Sequence, residues 1–478
     1  MKQKAIFFMV NMILLSSILC PYVLAVDLGK NRHMSEPDYE GFLISLSENC
    51  SLQTDSAELN AGLEYVVDNV YWTEDAEYAQ WLLDTGQANY VEPNYVVSLF
   101  DDESDETDTY GWPYEAINAD YAENFGLNGS GVRIAVIDSG LDLDNPDLQE
   151  ANICEGYDYI LGTSLMSDNV YHGTKVTQLI CADKNALGVT GIARGAEIVP
   201  LRCFSSTNGG TIKIVAQAIV DAVTVYNCQI INMSWGLSED SQVLYEAIRT
   251  AFDSGATLVA AAGNITYAAP SGTVIYPASY EEVISVASVD SSLTVLSSSQ
   301  RNEMVTVCAP GGSIGFITSG GNTSVDSGTS FACPCIASII AVLKQLAPGI
   351  DNSDIFDLLQ SRAIDLGDPG YDAAYGYGFI KLDSLLGSTW GHVQAFPTEQ
   401  GIHAALSAWI LSSDGGYIAA AMYDECGKMT NISLMEGQQN YNFFYITFDM
   451  AKEDARLAVF YLDKNFTALS ESNHFVFP

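Results

Sequence analysis

The stretch that decides the fold is residues 132–140, VRIAVIDSG. Its first six residues are almost all apolar, as expected of a parallel strand that is buried on both faces of a sheet. The strand stops at Asp138, and the carboxyl end of such a strand is where α/β sheets bind their ligands. Taken alone, a strand-end aspartate is more often a turn former or a helix cap. The meaning of Asp138 therefore depends on what else the chain brings to it.

Apolar strands alternate with helix-length segments from about Thr109 to Leu386. This alternation predicts an α/β fold with a central parallel sheet and helices on both faces. Residues 26–100 mix short strand-like and helix-like segments and predict a small α+β domain. Residues 387–478 contain short strands separated by turn residues, which predicts a small β-sandwich-like domain.

Two other segments have recognisable compositions. Residues 1–25 carry lysines, then an apolar run, then small residues, and are typical of a secretory signal peptide cut after Ala25. Residues 101–108 form an acidic run with little to bury, which predicts a flexible linker. No second apolar stretch of ~18 residues that would cross a membrane is expected after the signal. We therefore expect an extracellular protein without a membrane anchor.

Charge and cysteine content exclude several kinds of partner. The 478 residues include 19 Lys and Arg against 60 Asp and Glu, a net charge of −41. Such a chain should repel nucleic acids and anionic membrane surfaces. The 10 cysteines have neither the spacing of a disulfide scaffold nor that of a zinc site. Most are predicted to be small buried apolar residues, with their pairing left open, and we expect a monomer.

Two more residues could complete a nucleophilic site with Asp138. His172 opens a helical segment beside Gly173, which leaves room for another backbone, and Ser330 stands where residues 326–332, DSGTSFA, lead into an apolar helix. A lone histidine is usually structural, and a lone serine there is usually an ordinary N-cap. Together, however, a carboxylate, an imidazole and a hydroxyl supply the orienter, the base and the nucleophile of a serine hydrolase. Their order along the chain, Asp, His, Ser, is that of subtilisin.

Asn264 is a candidate fourth member of this site. It follows the apolar segment 257–263, TLVAAAG, at the end of a second predicted buried strand. A side-chain amide at this position could donate a hydrogen bond to a tetrahedral oxyanion. Without the other three residues, Asn264 would be an ordinary turn residue after glycine.

At this point the sequence resembles the subtilisin-like (subtilase) serine protease family. The resemblance covers about residues 109–386 and rests on motifs in the family order, namely 137–140 (IDSG), 172–174 (HGT), 232–236 (NMSWG), 261–264 (AAGN) and 328–334 (GTSFACP). It implies that Asp138, His172 and Ser330 form a catalytic triad and that Asn264 is the oxyanion donor.

The resemblance also implies a substrate site. Ser234, Trp235 and Gly236 would pair with the substrate backbone, as in recognition by β-strand addition. Ala262 and Gly263, in the motif before Asn264, are expected to contribute to substrate binding.

The resemblance points in two directions on substrate preference. Ile275 stands where many relatives have a glycine at the floor of the primary specificity pocket, so the pocket should be shallow. Residues 26–100 resemble the family's inhibitory propeptide, with self-cleavage expected near Phe100–Asp101. Phe100 as the cleaved residue favours a large apolar side chain instead. We expect a general preference for apolar residues.

Two further expectations concern departures and calcium. Lys175 stands where the family usually has a second histidine, which is not the base, and Cys335 replaces a histidine that is common shortly after the catalytic serine. The loop 185–191, NALGVTG, resembles the family's high-affinity calcium loop. The resemblance predicts a structural calcium ion held by Asp147, Asn185 and the carbonyls of Leu187 and Val189, and no organic cofactor. The alternative is a plain glycine turn with a surface aspartate.

The function expected from all this is a secreted, propeptide-activated serine endopeptidase that acts on polypeptides. Two other kinds of protein remain open. One is a pseudoprotease whose pocket binds peptides without cutting them, and the other is an adhesion protein that binds through residues 387–478. The presence of nucleophile, base, orienter and oxyanion donor together favours the enzyme, because binding alone does not need all four.

Overall fold

The computed structural model describes residues 38–47, 50, 62–100, 102–103, 111–185, 187–207 and 209–386, together with seven strands between residues 390 and 476. The predicted signal peptide and most of the predicted acidic linker lie outside the described residues. The chain divides into two compact units, Met1–Tyr95 and Val96–Pro478.

The first unit is built on an antiparallel sheet. Its elements in chain order are β1 (Tyr39–Leu46), β2 (Glu64–Val67), β3 (Val70–Thr73), α1 (Ala76–Asp84) and β4 (Ala88–Leu99), which continues into the second unit from Val96. The strands are ordered β4-β1-β3-β2. Asp75 caps α1 by accepting a hydrogen bond from the Tyr78 amide at 2.9 Å, and Ala79 and Leu82 pack this helix against residues of β1.

The second unit has strands and helices alternating along the chain. Its strands up to residue 327 are β5 (Asp102–Glu103), β6 (Arg133–Asp138), β7 (Asn152–Ile153), β8 (Tyr157–Asp158), β9 (Glu197–Arg202), β10 (Gly210–Thr211), β11 (Ile230–Met233), β12 (Trp235–Gly236), β13 (Thr257–Ala261), β14 (Val283–Val289), β15 (Val307–Pro310), β16 (Ile314–Ile317) and β17 (Thr323–Ser327). Its helices are α2 (Trp112–Ile117), α3 (Ala119–Glu123), α4 (His172–Cys181), α5 (Ile212–Thr224), α6 (Gln242–Asp253), α7 (Thr329–Leu346), α8 (Asn352–Arg362) and α9 (Leu382–Leu386).

The core of this unit is one parallel sheet, ordered β15-β14-β13-β11-β6-β9-β7, with β8 also paired to β9. Every residue of β11, β13, β14 and β15 is buried, so both faces of the sheet are covered. Helices α4 and α7 pack together, and α5 packs with α6. The predicted fold class, a parallel sheet with helices on both faces, is confirmed.

Helix α7 corrects one expectation from the sequence. Its 18 residues have a mean hydropathy of 1.5, so by length and composition it could cross a membrane. It is, however, 94% buried inside the fold, where it packs against β11, β13, β14 and β15. The expectation that no second apolar stretch of this length follows the signal was therefore wrong, and the burial of α7 identifies it as a core helix.

Beyond α9 the described strands form two antiparallel sheets. They are β18 (Trp390–Thr398), β19 (Gly401–Ile410), β20 (Gly416–Tyr423), β21 (Met429–Gly437), β22 (Asn440–Phe448), β23 (Arg456–Asp463) and β24 (Asn473–Val476). The first sheet has the order β18-β19-β22 and the second β21-β20-β23-β24. The switch from parallel to antiparallel pairing agrees with the change in sequence pattern after residue 387.

The described cysteines are free thiols. Six of them, at positions 181, 203, 228, 308, 333 and 335, are buried, while Cys50 and Cys154 are half-buried. Cys333 and Cys335 lie on α7, where burial raises the pKa of both thiols. The prediction that most cysteines act as small apolar residues is confirmed for the part of the chain that the structure describes.

Candidate functional site

The predicted site lies at the carboxyl edge of the parallel sheet. Strand β6 stands between β11 and β9, so the strand order reverses direction at β6. Such a switch point opens a crevice beyond the strand ends. Asp138 is the last residue of β6, and it points its carboxylate into a region from which water is excluded, with 0% of the residue exposed.

Asp138 and His172 are joined by a hydrogen bond. His172 Nδ1 lies 2.7 Å from Asp138 Oδ1, which also accepts a hydrogen bond from the Ser139 amide at 2.7 Å. His172 is the first residue of α4 and only 1% exposed, with its ring packed on Phe331 at a centroid distance of 5.7 Å. Because Nδ1 faces the carboxylate, the other ring nitrogen, Nε2, is directed away from it.

Glycine at position 173 is required by this arrangement. A Cβ there would lie 2.3 Å from the carbonyl oxygen of Gly140 and 3.1 Å from the Asp138 Cβ. The close approach of α4 to the end of β6 therefore depends on the absence of a side chain. The expectation that Gly173 leaves room for another backbone is confirmed.

Asp168 is a positioning residue that sequence reasoning missed. Its carboxylate accepts hydrogen bonds from the Tyr171 amide at 2.7 Å, the Thr174 amide at 2.9 Å and the Ser139 hydroxyl at 2.9 Å. It thus ties the first turn of α4 to the residue after Asp138 and fixes where His172 stands. The available signal was an aspartate just before a predicted helix start, a usual place for a capping side chain.

Ser330 stands in the first turn of α7, where backbone N–H groups are free of intrahelical partners. Its Oγ donates a hydrogen bond to the Ser234 carbonyl oxygen at 2.8 Å and accepts one from the Phe100 amide at 3.1 Å. In return, the Ser234 hydroxyl donates to the Ser330 carbonyl oxygen at 2.8 Å. The structure therefore joins Asp138 to His172, and holds the Ser330 hydroxyl against Ser234.

Asn264 is held beside the start of α7 by its amide oxygen. Oδ1 accepts hydrogen bonds from the Thr329 amide at 3.2 Å and the Thr329 hydroxyl at 3.0 Å, while the Gly263 amide donates to the same hydroxyl at 3.2 Å. This leaves the Nδ2 group on the other side, 3.3 Å from where a Cβ of Gly328 would stand. The carbonyl oxygen of Phe100 would lie 2.6 Å from the same added Cβ atom. The Asn264 amide group and the Phe100 carbonyl therefore both lie next to Gly328.

The chain's own residues from Val96 to Phe100 lie along the predicted substrate edge. Leu99 and Ser98 pair antiparallel with Trp235 and Gly236 of β12, and the Leu99 amide donates to Thr207 O at 2.9 Å. On the other side, β10 pairs with the preceding two residues, Gly210 with Val97 and Thr211 with Val96. The segment therefore forms the middle strand of a three-stranded arrangement that ends at Ser330.

The remaining predicted substrate residues surround Phe100 to different degrees. The side chain of Ile275 packs against Gly236 and Gly263. A Cβ atom added at either glycine would lie 2.7 Å from an Ile275 side-chain carbon. A Gly236 Cβ would also lie 2.9 Å from Phe100 Cε2, so the phenyl ring rests on this glycine. Ala262 is buried and its amide donates to Val286 O at 3.0 Å on the neighbouring strand β14.

Asp147 lies beside the loop that carries the other predicted calcium residues. Asp147 is 0% exposed, and neither carboxylate oxygen has a hydrogen-bond partner among the described residues. Burial raises its pKa to about 7. Gly188, between Leu187 and Val189, would place a Cβ 2.6 Å from Asp147 Oδ2, so the loop backbone closes directly over the carboxylate.

Comparison with known proteins agrees with this geometry. The sequence profile of the Subtilase family matches residues 129–378. The chain is 34% identical over 327 residues, 65% of its length, to the minor extracellular protease Epr of Bacillus subtilis. It is 33% identical over 317 residues, 60% of its length, to fervidolysin of Fervidobacterium pennivorans. It is 34% identical over 269 residues, 56% of its length, to subtilisin E of Bacillus subtilis.

The coverage of these relatives differs. The aligned region covers 48% of Epr and 45% of fervidolysin, so the chain spans about half the length of these two proteins. It covers 69% of subtilisin E. The family profile covers the parallel sheet, the Asp138–His172 pair, Ser330 and Asn264. From the matched profile and these relatives, the chain belongs to the subtilase family of subtilisin-like serine proteases.

Proposed function

We propose that this protein is a serine endopeptidase that hydrolyses peptide bonds through Asp138, His172 and Ser330. The observation that carries the proposal is the buried Asp138–His172 hydrogen bond of 2.7 Å at the sheet edge where the chain's own Phe100 amide reaches Ser330 Oγ at 3.1 Å. A peptide already lies at the nucleophile in the extended conformation that β-strand addition requires.

The contacts suggest how the chemistry proceeds. Ser330 Oγ turns from Ser234 O toward His172 Nε2, which takes its proton as Oγ bonds to the substrate carbonyl carbon. Asp138 keeps the imidazole in the tautomer with Nε2 free to accept and stabilises the imidazolium that forms. His172 then gives the proton to the leaving amine as the peptide bond breaks. Water repeats the sequence to release the acyl group and restore the serine.

The developing negative charge needs donors that are already in place. We propose that Asn264 Nδ2 and the backbone amide of Ser330 supply them. Thr329 holds the Asn264 amide by its oxygen, so its orientation is fixed before the substrate arrives. The first turn of α7 adds the positive end of a helix dipole.

We further propose that residues 26–100 are an inhibitory propeptide and that the protein is secreted. The Val96–Phe100 segment occupies the substrate edge and supports self-cleavage at Phe100–Asp101, with the released end remaining as a product. The name of Epr, an extracellular protease, agrees with secretion. The contact of the Phe100 ring with Gly236 beside Ile275 supports a preference for apolar residues before the cleaved bond.

A fluorophosphonate probe tests the proposed function. The processed protein should be labelled on Ser330, identified by peptide mass spectrometry, and should release peptides from a mixed protein digest. The Ser330→Ala variant should not be labelled. If correctly processed wild-type protein takes no label and releases no peptides, the peptide-binding pseudoprotease is the correct description instead.

We also propose a structural calcium ion at Asp147. The buried Asp147 carboxylate, which has no hydrogen-bond partner among the described residues, supports a hard cation there. The carbonyls of Leu187 and Val189 and the Asn185 side chain, whose Oδ1 accepts from the Leu187 amide at 2.8 Å in this structure, are the other ligands in the proposal. The ion would offset the cost of burying Asp147 and fix the loop. It takes no part in the proposed hydrolysis.

Removing calcium should lower thermal stability. A cation present at 100 times its dissociation constant adds ~2.7 kcal/mol, so the melting temperature should fall by ~5–10 °C when a chelator is added. Calorimetry of the Ser330→Ala protein, which cannot digest itself, measures this. Asp147→Asn should abolish the response to calcium, whereas Asp144→Asn, at an exposed position nearby, should keep it. If the Ser330→Ala protein with Asp147 unchanged has the same melting temperature with and without chelator, no calcium ion binds at Asp147.

A further inference from the structure

Lys175 forms a nearly buried ion pair close to the predicted triad. It lies one turn after His172 on α4, and its Nζ is 3.0 Å from Asp326 Oδ2 on β17, with side-chain exposures of 10% and 9%. The Ser324 hydroxyl donates to the same carboxylate oxygen at 2.7 Å. Asp326 is thus held in one orientation. At position 175 the family commonly has a histidine, so the resemblance does not account for this lysine.

Strand β17 is also the strand beside which the chain continues after Phe100. In the antiparallel pair β5–β17, Asp102 stands opposite Ser327 and Glu103 opposite Asp326. With Phe100 at Ser330, these are the second and third residues after the proposed cleavage point. A substrate bound in this register therefore runs along β17 on the leaving-group side of the bond.

The register decides which substrate residues meet the ion pair. Directly opposite residues of an antiparallel pair share one face of the sheet, and successive residues alternate between the faces. In a substrate bound in this register, the side chains of the first and third residues after the cleaved bond would therefore lie on the face of Asp326, and that of the second on the opposite face.

An acidic residue at the third position would face a carboxylate, and like charges placed directly opposite destabilise the pairing. Lys175 removes this penalty because its ammonium neutralises Asp326 from the adjoining helix. We infer that Lys175 is a specificity-determining residue that lets the enzyme accept acidic side chains at the first and third positions after the cleaved bond. The inference rests on the proposed endopeptidase function and names its substrate class.

Paired synthetic peptides test this on the processed enzyme. One has Phe followed by Asp-Ala-Glu and its partner Phe followed by Asn-Ala-Gln. Wild type should cleave the acidic peptide at least as well as the amide. In Lys175→Met, the ratio of kcat/KM for acidic over amide peptide should fall by ~10-fold, mainly through KM, because Asp326 is then uncompensated. In Asp326→Asn the ratio should rise, and Lys175→Arg should keep the wild-type ratio.

A second peptide pair supplies the control, with Ala-Asp-Ala or Ala-Asn-Ala after Phe. The acidic residue of this pair would lie on the opposite face, so Lys175→Met and Asp326→Asn should both leave its ratio of kcat/KM, acidic over amide peptide, unchanged. The inference is overturned if Lys175→Met and wild type have the same ratio for the first pair. It is also overturned, without any variant, if wild type tolerates an acid at the second position better than at the first and third. Failure to cleave every peptide would instead reject the proposed endopeptidase function.

Discussion

Ser330→Ala is expected to abolish peptide hydrolysis, with a loss on the order of 10⁶-fold in kcat. The variant lacks the only group that the proposal assigns to attack the carbonyl carbon. Residual turnover would come from substrate binding and the oxyanion donors alone. The same change should leave the chain uncut at Phe100–Asp101, because maturation is proposed to use the same serine. Hydrolysis of a Phe-containing peptide and N-terminal sequencing of the purified protein measure the two effects.

The matched control for this change is Ser338→Ala. Ser338 is buried on the same helix, α7, and its hydroxyl donates to the Pro334 carbonyl oxygen at 2.7 Å, away from His172. This variant should be processed and active. An N-terminus at Asp101 in both variants would show that another protease makes the cut, and hydrolysis by Ser330→Ala would reject Ser330 as the nucleophile.

Asp138→Asn is expected to lower kcat by ~10⁴-fold. An asparagine amide in place of the carboxylate at 2.7 Å from His172 Nδ1 would donate to the ring and favour the tautomer with the proton on Nε2. That tautomer cannot accept the Ser330 proton. Because both residues are almost completely buried, water cannot replace the lost acceptor. The pH dependence of kcat/KM separates this effect from misfolding, since any remaining activity should rise toward alkaline pH.

The isosteric control is Asp144→Asn, six residues along the chain. Asp144 is exposed, so the same change in charge there should leave kcat near the wild-type value. The fluorophosphonate label should decline in Asp138→Asn in step with kcat. Full activity in that variant would mean that another group orients His172, and the triad as proposed would be wrong.

The fold and the parts of the site that lie at strand ends were predictable from the sequence. Asp138 ends a continuous apolar strand, and Asn264 follows another, so the edge of a parallel sheet brings them together whatever the loops do. Ser330 was predictable for a related reason, since it precedes a long apolar helix. These assignments depend on local periodicity and on the rule that parallel strands end at one edge.

Contacts made across long separations were not predictable. The sequence singled out Lys175 as a departure from the family, but its partner Asp326 lies on a hairpin whose register no local pattern specifies. The sequence also led to two conflicting expectations for the specificity pocket, a shallow pocket from Ile275 and a large apolar side chain from Phe100. This conflict too depended on contacts between residues far apart in the chain. The structure places Ile275 across Gly236 and Gly263 and leaves the phenyl ring of Phe100 against Gly236. Only side-chain packing could show that both residues fit.

The burial of helix α7 also limits how the enzyme can be altered. Ser330, the proposed nucleophile, belongs to the first turn of a helix that packs on the parallel sheet and is 94% buried, so any shift of Ser330 would require this packing to change. Engineers who want a different cleavage preference should therefore leave this helix intact. The short strands at 210–211 and 235–236, which pair with residues 96–99, offer little room for change either, because Trp235 is fully buried and a Cβ at Gly236 would lie 2.7 Å from the Ile275 side chain.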